Sequence, residues 1–252
     1  MNAKLMYGYP ISSIFNRVIG LIILSLIIIF IAISISPSIG LMLSILLPVL
    51  LFLFTLHFKN SFSRLREKIV SEVIRKVAMK DTEQILDIGT GSGYLAIHLA
   101  KQAKNCSIIG IDKYDLKTDG RINWFIEELK INFFGNTLHH AKQNAEIEHV
   151  EKTVDFIKAD LQKPFPFDSD RFDAVVSSQF LYCIPSDQLQ KVCNEIDRIL
   201  KSEGRLVFFE TIRFFNWNIK KVFDFFKEKG YDVELQPLEY FSNKCLFIAK
   251  KP

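Results

Sequence analysis

The chain has 252 residues, of which 49% are hydrophobic, and a formal net charge of +4. This length accommodates one ordinary domain and an additional module. The small net charge argues against a dedicated nucleic-acid-binding protein, which concentrates basic residues on one face. The four cysteines form no CxxC pair and have no histidine at ligand spacing, which argues against a disulfide framework or a structural zinc site, and no metal is expected.

The N-terminal region is strongly apolar. Residues 18–58 contain no Lys, Arg, Asp or Glu, and one membrane-spanning helix needs about 20 apolar residues. The stretch "SISPSIG" places Pro37 and Gly40 near the midpoint, as a turn requires. We therefore predict a membrane hairpin over residues 1–59, with spans at 18–35 and 39–57, and we expect Pro48 to kink the second helix.

Two alternatives for this region stay open. A cleaved signal peptide would account for the first span only. A helical hairpin buried in a soluble protein is also possible, although helices that are apolar on every face usually contact lipid.

The charges that flank the apolar region predict its orientation. Lys4 and Arg17 precede it, Lys59 and Arg64 follow it, and the connecting turn carries no charge. Because cytoplasmic flanks carry the excess of Lys and Arg, we predict an integral membrane protein whose C-terminal domain lies on the cytoplasmic face.

Residues 60–80 have the pattern of an amphipathic linker helix. Its apolar positions repeat at helical spacing and its other face is basic. We expect it to pack on the following domain, and its basic face is suited to anionic lipid headgroups.

The stretch "ILDIGTGSGYLAIHLA", residues 85–100, predicts a strand, a glycine-rich turn and a helix. The glycines are Gly89, Gly91 and Gly93, whereas the dinucleotide pattern GxGxxG would place its third glycine at Tyr94. The acid before the turn, Asp87, suits an ammonium group better than a phosphate.

Acidic residues end the next strands. "CSIIGID" is a strand that ends at Asp112, where an α/β fold positions a carboxylate for ribose hydroxyls. A further strand ends at Asp160, and "FDAVVSS" is another. Strands and helices alternate to the end of the chain, which predicts an α/β layered domain.

Four segments resemble a known family in order and spacing: "LDIGTGSG", the acid of "GID", "ADLQKPFPFDSDRFDAVVS" and "EIDRILKSEGRLVF". Residues 81–252 resemble a class I S-adenosylmethionine-dependent methyltransferase, in the branch that contains quinone-pathway and other small-molecule methyltransferases. The resemblance implies a Rossmann-like seven-stranded sheet with one antiparallel strand near its edge, helices on both faces, and S-adenosyl-L-methionine as cofactor.

The resemblance also implies the cofactor-binding residues. The three glycines would pass under the methionine part of the cofactor, the acid before them would help to hold its ammonium, and the acid of "GID" would bind the ribose. The acid and leucine of "ADL" would flank the adenine, and a serine would lie nearby on the fourth strand. The full set is Asp87, Gly89, Thr90, Gly91, Gly93, Asp112, Lys113, Asp160, Leu161 and Ser177.

Some positions depart from the family pattern. Lys113 stands where an apolar residue often contacts adenine, and "FLYC" replaces a frequent histidine after the fourth strand. No NPPY-like tetrapeptide is present, which disfavours methylation of a nucleobase amine. Tyr94, Tyr182 and Glu210 are candidates for a general base by position alone, so the catalytic residue stays unassigned.

Residues 115–136 form an extra segment with a helical apolar pattern. It predicts either a helix that covers the core or a lid that admits a lipid-soluble substrate.

These features together predict a membrane-anchored methyltransferase that acts on a small-molecule or lipid-like acceptor and contacts membrane lipids but no nucleic acid. An NAD(P)-dependent oxidoreductase and a non-catalytic, membrane-tethered cofactor-binding protein are the alternatives.

Overall fold

The computed structural model describes the backbone of residues 11–103, 105–114, 137–214, 216–239 and 243–252. The side chains of residues 11–21, 52, 54–63 and 214 also lie outside the description, as does the extra segment predicted at 115–136. The chain divides into a helical unit that ends at Ile69 and an α/β unit that includes all residues from Val70 onward.

Two long helices, α1 (Ile11–Ile35) and α2 (Pro37–Val77), follow each other with a single residue between them. Proline is well suited to the first turn of α2 because it needs no amide donor there. Gly40 lies so close to α1 that a Cβ atom on it would be 2.3 Å from Cγ1 of Ile33. Gly40 thus permits the close approach of α2 to α1, but it lies inside α2, and only Ser36 separates the two helices.

Helix α2 corrects one sequence-based boundary. It continues without interruption through residues 57–60 and contains Pro48 in its interior. The predicted linker helix at 60–80 is thus the C-terminal part of α2 and not a separate element, because the residues around 59 are all compatible with a helix and none of them ends it.

The predicted membrane spans at 18–35 and 39–57 are not supported by the structure. Within the part of the chain that the structure describes, no helix is long and apolar enough to cross a membrane. Both predicted spans extend into residues whose side chains lie outside that description.

The α/β unit contains a seven-stranded sheet. Its strands are β1 (Gln84–Ile88), β2 (Ser107–Asp112), β3 (Val154–Lys158), β4 (Phe172–Ser178), β5 (Leu200–Thr211), β8 (Asp232–Pro237) and β9 (Lys244–Lys250). The order across the sheet is β3-β2-β1-β4-β5-β9-β8. Six of these strands run in one direction, and β9 runs in the opposite direction between β5 and β8. The predicted seven-stranded, mostly parallel sheet is confirmed.

Besides the C-terminal part of α2, the described part of this unit contains four α-helices, a 3-10 helix at Leu181–Cys183 and a short hairpin. The α-helices are α3 (Tyr94–Gln102), α4 (Leu138–Ile147), α5 (Leu189–Ile199) and α6 (Lys220–Glu228), and the hairpin strands are β6 (Arg213–Phe214) and β7 (Trp217–Asn218). The crossovers from β1 to β2 and from β4 to β5 run in opposite directions. Because such crossovers are right-handed, their helices lie on opposite faces of the sheet.

The centre of the sheet is apolar on both faces, as parallel strands require. Ile85, Leu86 and Ile88 of β1 are fully buried, and the rings of Phe208 and Phe247 stack across β5 and β9 with centroids 5.4 Å apart. The strand order reverses between β1 and β4, and ligands of open α/β sheets bind at the carboxyl ends of the strands at such a point.

Candidate cofactor and acceptor site

The glycine turn lies between β1 and α3, at the carboxyl edge of the sheet. Gly89, Gly91 and Gly93 have φ angles of 70°, 54° and 82°, a left-handed region that glycine adopts without steric cost. A Cβ atom on Gly93 would lie 2.5 Å from Cζ of Phe156. The backbone of the turn thus lies close to the side chain of Phe156 on β3.

The acid before the turn is deeply buried. Asp87 is 1% exposed, and its Oδ2 accepts a hydrogen bond of 2.7 Å from the hydroxyl of Thr90. Burial raises the pKa of Asp87 to about 7, while hydrogen bonds from Thr90 and from the amide of Ala96 oppose the rise. In this structure its hydrogen bonds come from Thr90 of the turn and from Ala96 of α3, so its contact with the cofactor ammonium stays a prediction.

The acid at the end of β2 is joined to the same turn. Asp112 Oδ2 accepts a hydrogen bond of 2.9 Å from the amide of Gly91, and the amides of Gly89 and Thr90 both donate to the carbonyl of Ile111. Burial raises the pKa of Asp112. The structure therefore brings the first and second predicted acids to one place, as the spacing indicated.

The predicted adenine side lies at the ends of β2 and β3. Lys113 Nζ forms an ion pair of 3.3 Å with Oδ2 of Asp160, whose Oδ1 accepts from the amide of Gln162. These contacts lower the pKa of Asp160, and Leu161 is buried beside it. Lys113, a departure from the family pattern, thus holds Asp160 in its position.

At the end of β4, Ser177 is fully buried and its hydroxyl donates to the carbonyl of Ile88 on β1. It joins two strands beneath the site, and a direct contact with cofactor stays a prediction. Three residues later, at Phe180, the chain contacts the glycine turn. A Cβ atom on Gly89 would lie 2.1 Å from Cγ of Phe180, so this ring packs directly on the glycine.

Glu210, one of the base candidates, holds that segment. It is fully buried, and its Oε1 accepts hydrogen bonds of 2.8 Å from the amide of Phe180 and 2.7 Å from that of Leu181. Its Oε2 is buried and has no hydrogen-bond partner among the described groups. Burial raises the pKa of Glu210 to about 7, so a proton on this oxygen is readily held at neutral pH.

The other two base candidates differ in their surroundings. Tyr94 is half-buried at the start of α3, with its ring 4.2 Å from that of His98. Tyr182 is half-buried near Glu210, and burial raises the pKa of its phenol. Neither arrangement identifies a general base.

The sequence did not indicate one further polar group at this edge. Lys244, the first residue of β9, donates hydrogen bonds to Oε1 of Gln179 and, at 2.6 Å, to the hydroxyl of Thr211. Lys244 is the first residue of β9, Gln179 follows β4, and Thr211 is the last residue of β5. These strands are distant from one another in the chain. The only sequence signal is a charged residue at the start of an apolar strand.

Two family profiles match parts of the chain. The profile described as "Methyltransferase domain" matches residues 121–208, and that of "Protein-L-isoaspartate(D-aspartate) O-methyltransferase" matches residues 63–124. The solved structure of the cyclase SpnF has a TM-score of 0.60 at 15% identity, over 76% of this chain and 82% of that one. A SAM dependent methyltransferase from Aquifex aeolicus has a TM-score of 0.53 at 14% identity, over 72% and 87%.

Curated relatives match over shorter stretches. An rRNA adenine N-6-methyltransferase of Streptococcus sanguinis is 32% identical over 73 residues, which are 29% of this chain and 27% of that protein. A release factor glutamine methyltransferase of Flavobacterium psychrophilum is 33% identical over 96 residues, 37% of this chain and 33% of that protein. The chain thus spans only about a third or less of the length of these two relatives.

In the sheet the antiparallel strand β9 lies next to the edge strand β8, and the glycine turn lies where the strand order reverses. This arrangement is a Rossmann-like methyltransferase fold. The two methyltransferase profiles and the shared fold make the chain similar to the class I S-adenosylmethionine-dependent methyltransferases, which implies S-adenosylmethionine as cofactor.

The residues of the site fit this cofactor in charge. Asp87 and Asp112 lie at the turn, and no Lys or Arg side chain is among the described groups that shift their pKa values; Lys113 acts on Asp112 only through its backbone amide. Two carboxyls without a basic partner suit a ligand with an ammonium, a sulfonium and a ribose diol. They do not suit the pyrophosphate of a dinucleotide, which argues against the oxidoreductase alternative.

Proposed function

We propose that this protein is a membrane-anchored methyltransferase that transfers a methyl group from S-adenosylmethionine to a small-molecule or lipid-like acceptor. The observation that carries the proposal is the hydrogen bond from the amide of Gly91 in the glycine turn to Asp112, at the carboxyl edge of the sheet. When bound, S-adenosylmethionine supplies a methyl group that is already activated on a sulfonium, so the protein needs mainly to bind, orient and exclude water.

Each part of the site has a proposed task. The bare backbone of Gly89–Gly93 lets the methionine part approach closely, and Asp87 holds its ammonium through the turn. Asp112 accepts from the ribose hydroxyls. Asp160, kept in place by Lys113, accepts from the adenine amino group, while Leu161 and Ser177 support the base and the turn from below.

The acceptor side of the site is proposed to lie at the ends of β4, β5 and β9, beside Phe180. This segment adjoins Gly89 and carries the polar side chains that the cofactor-binding residues do not use. No general base is assigned, because an acceptor that is already ionised needs none.

The proposed membrane attachment rests on the helical unit. Every large hydrophobic side chain that is exposed in the described part of the chain lies between Ile22 and Leu53. Soluble proteins rarely expose contiguous apolar patches beyond a few hundred Å², so lipid contact is the environment that suits these helices. With the basic flanks of the apolar region, this supports an integral membrane protein with the α/β unit on the cytoplasmic face.

Two findings make turnover the decisive measurement. The fold is shared with a cyclase, so the fold alone does not establish methyl transfer, and some relatives are methyltransferases of rRNA or of a release factor. The test incubates the purified protein and native membranes with methyl-labelled S-adenosylmethionine and separates lipid, small-molecule, RNA and protein pools. Label in the lipid or small-molecule pool is expected. Label only in the RNA or protein pool would show that the acceptor is RNA or protein and not a lipid or small molecule. Binding of S-adenosylmethionine without label in any pool would support the non-catalytic alternative.

A further inference from the structure

Lys244, Gln179, Thr211 and Tyr182 lie together where β4 and β5 end and β9 begins, and we call them the Lys244 group. We propose that the Lys244 ammonium binds the oxygen of a phenolic methyl acceptor in its ionised form. This inference rests on the proposed function, since it names the acceptor class for the same site.

The ammonium of Lys244 has neutral partners. Its Nζ donates to the amide oxygen of Gln179 and to the hydroxyl of Thr211, and it forms no ion pair with a described carboxylate. An ammonium has three N–H donors, and these two bonds use two of them. One donor therefore remains for a ligand.

The surroundings favour an anion at this position. Lys244 is half-buried, and burial lowers its pKa because the charged form loses hydration. Glu210 is the nearby acid that opposes this shift, but its Oε1 is engaged by two backbone amides. Its raised pKa further reduces its negative charge near neutral pH. The other titratable groups near Lys244 in the described part of the chain are the Cys183 and Cys245 thiols and the Tyr182 phenol.

The Lys244 group is connected to the cofactor side of the site. Gln179, which binds Lys244, has a left-handed φ of 58° and donates its amide to the carbonyl of Phe209. Residues other than glycine rarely adopt this backbone conformation unless the surrounding structure holds them in it. Here it directs the chain so that the next residue, Phe180, packs on Gly89. Burial raises the pKa of the Cys183 thiol, and the charges of Glu210 on the acceptor side and Asp112 on the cofactor side add to the rise.

An aromatic ring completes the group. Lys244 Nζ lies 5.7 Å from the ring centroid of Tyr182, which is half-buried. Aromatic rings pair favourably in offset or edge-to-face arrangements. A phenol offers both features at once: a ring for Tyr182 and an acidic oxygen for Lys244.

The test uses the full-length protein in detergent, saturated with S-adenosylhomocysteine, and 4-nitrophenol as the probe. This phenol absorbs visible light only when ionised, so binding beside a cation raises its absorbance at a pH below its own pKa. The variants are Lys244→Met, which removes the charge, and Lys244→Arg, which retains it. Lys220→Met is the matched control, because Lys220 is 72% exposed and pairs only with Asp224 among the described residues.

The wild type, Lys244→Arg and Lys220→Met are expected to bind the phenolate, and Lys244→Met to bind it about tenfold more weakly or worse, as loss of a hydrogen bond to a charged group implies. Calorimetry with S-adenosylhomocysteine shows which variants keep the folded cofactor site. A wild type that binds S-adenosylhomocysteine but does not ionise the probe overturns the acceptor assignment alone, as does equal binding by folded Lys244→Met. Failure of the wild type to bind S-adenosylhomocysteine overturns the proposed function itself.

Discussion

The amide of Gly91 donates a hydrogen bond of 2.9 Å to Oδ2 of Asp112. This bond joins the turn after β1 to the end of β2, so the two parts of the proposed cofactor site keep a fixed separation. The carboxylate has lone pairs beyond this bond, and these are available for ribose hydroxyls.

Replacing Asp112 tests this double task. Hydrogen bonds to a charged group contribute about 1.5–3 kcal/mol each, so Asp112→Ala is expected to weaken S-adenosylhomocysteine binding at least about tenfold by calorimetry. Asp112→Asn loses the charge but can still accept from Gly91, so it should lose affinity while its melting temperature stays above that of Asp112→Ala. Unchanged affinity in a folded Asp112→Ala protein would show that this acid does not bind the cofactor.

Gly93 and Gly230 form a matched pair for testing whether the glycine turn needs a residue without a Cβ atom. Both have left-handed φ angles, 82° and 86°, but a Cβ would lie 2.5 Å from Phe156 at Gly93 and 3.9 Å from Pro252 at Gly230. Each alanine variant loses about 1–2 kcal/mol to backbone strain, and only Gly93→Ala adds a clash. We expect Gly93→Ala to unfold at lower denaturant concentration than Gly230→Ala and to lose cofactor binding. Equal midpoints would contradict the close packing on Phe156.

Glu210 predicts a pH dependence of stability. Its pKa is raised from 4.5 to about 7 in the folded protein, so between these values the folded state holds more protons than the unfolded state. The free energy of unfolding contributed by this group therefore falls as pH rises through this window, by about 1.4 kcal/mol per unit of pKa shift. Glu210→Gln should flatten the fall, measured by urea unfolding at several pH values.

Part of that slope should persist in Glu210→Gln, because Asp87 is shifted in the same direction. The exposed Glu234→Gln serves as control and should keep the wild-type slope. An identical slope in Glu210→Gln and wild type would refute the assignment.

The cysteines provide a native reporter of topology. Cys183 is exposed, whereas Cys106, Cys193 and Cys245 are buried. If the α/β unit faces the cytoplasm, an impermeant thiol reagent should label Cys183 in inside-out vesicles and leave it unlabelled in right-side-out vesicles. Cys183→Ser should abolish the labelling of inside-out vesicles. Labelling only in right-side-out vesicles would reverse the predicted orientation.

Charges placed in the helical unit test membrane attachment. Ile28 and Leu46 are exposed in α1 and α2, and a charged residue at the centre of a membrane span costs about 2.5–3.5 kcal/mol. Ile28→Arg and Leu46→Arg should shift the protein from the carbonate-resistant membrane fraction toward the soluble fraction, while S-adenosylhomocysteine binding persists. If the wild-type protein is itself released by carbonate, the proposed anchor is wrong.

The sequence alone predicted an α/β layered domain, because apolar runs, the glycine turn and the acids at strand ends are local patterns. The seven-stranded sheet and the meeting of Asp87, the glycines and Asp112 in one cofactor site were implied by the resemblance to class I methyltransferases, and the order of the strands came only from the structure. Residues 60–80 were assigned to a separate helix because their charge pattern changes there, yet a change of charge does not end a helix, and α2 continues to Val77.

Only the tertiary structure decided the Lys244 group and the burial of the acids. Lys244 and Gln179 are 65 positions apart, and they meet because β9 inserts antiparallel beside β5 while β4 lies on its other side. Likewise, the pKa of Glu210 depends on the side chains and amides that exclude water from it. Such long-range pairings follow from how the sheet closes around its core, which no local stretch of the sequence encodes.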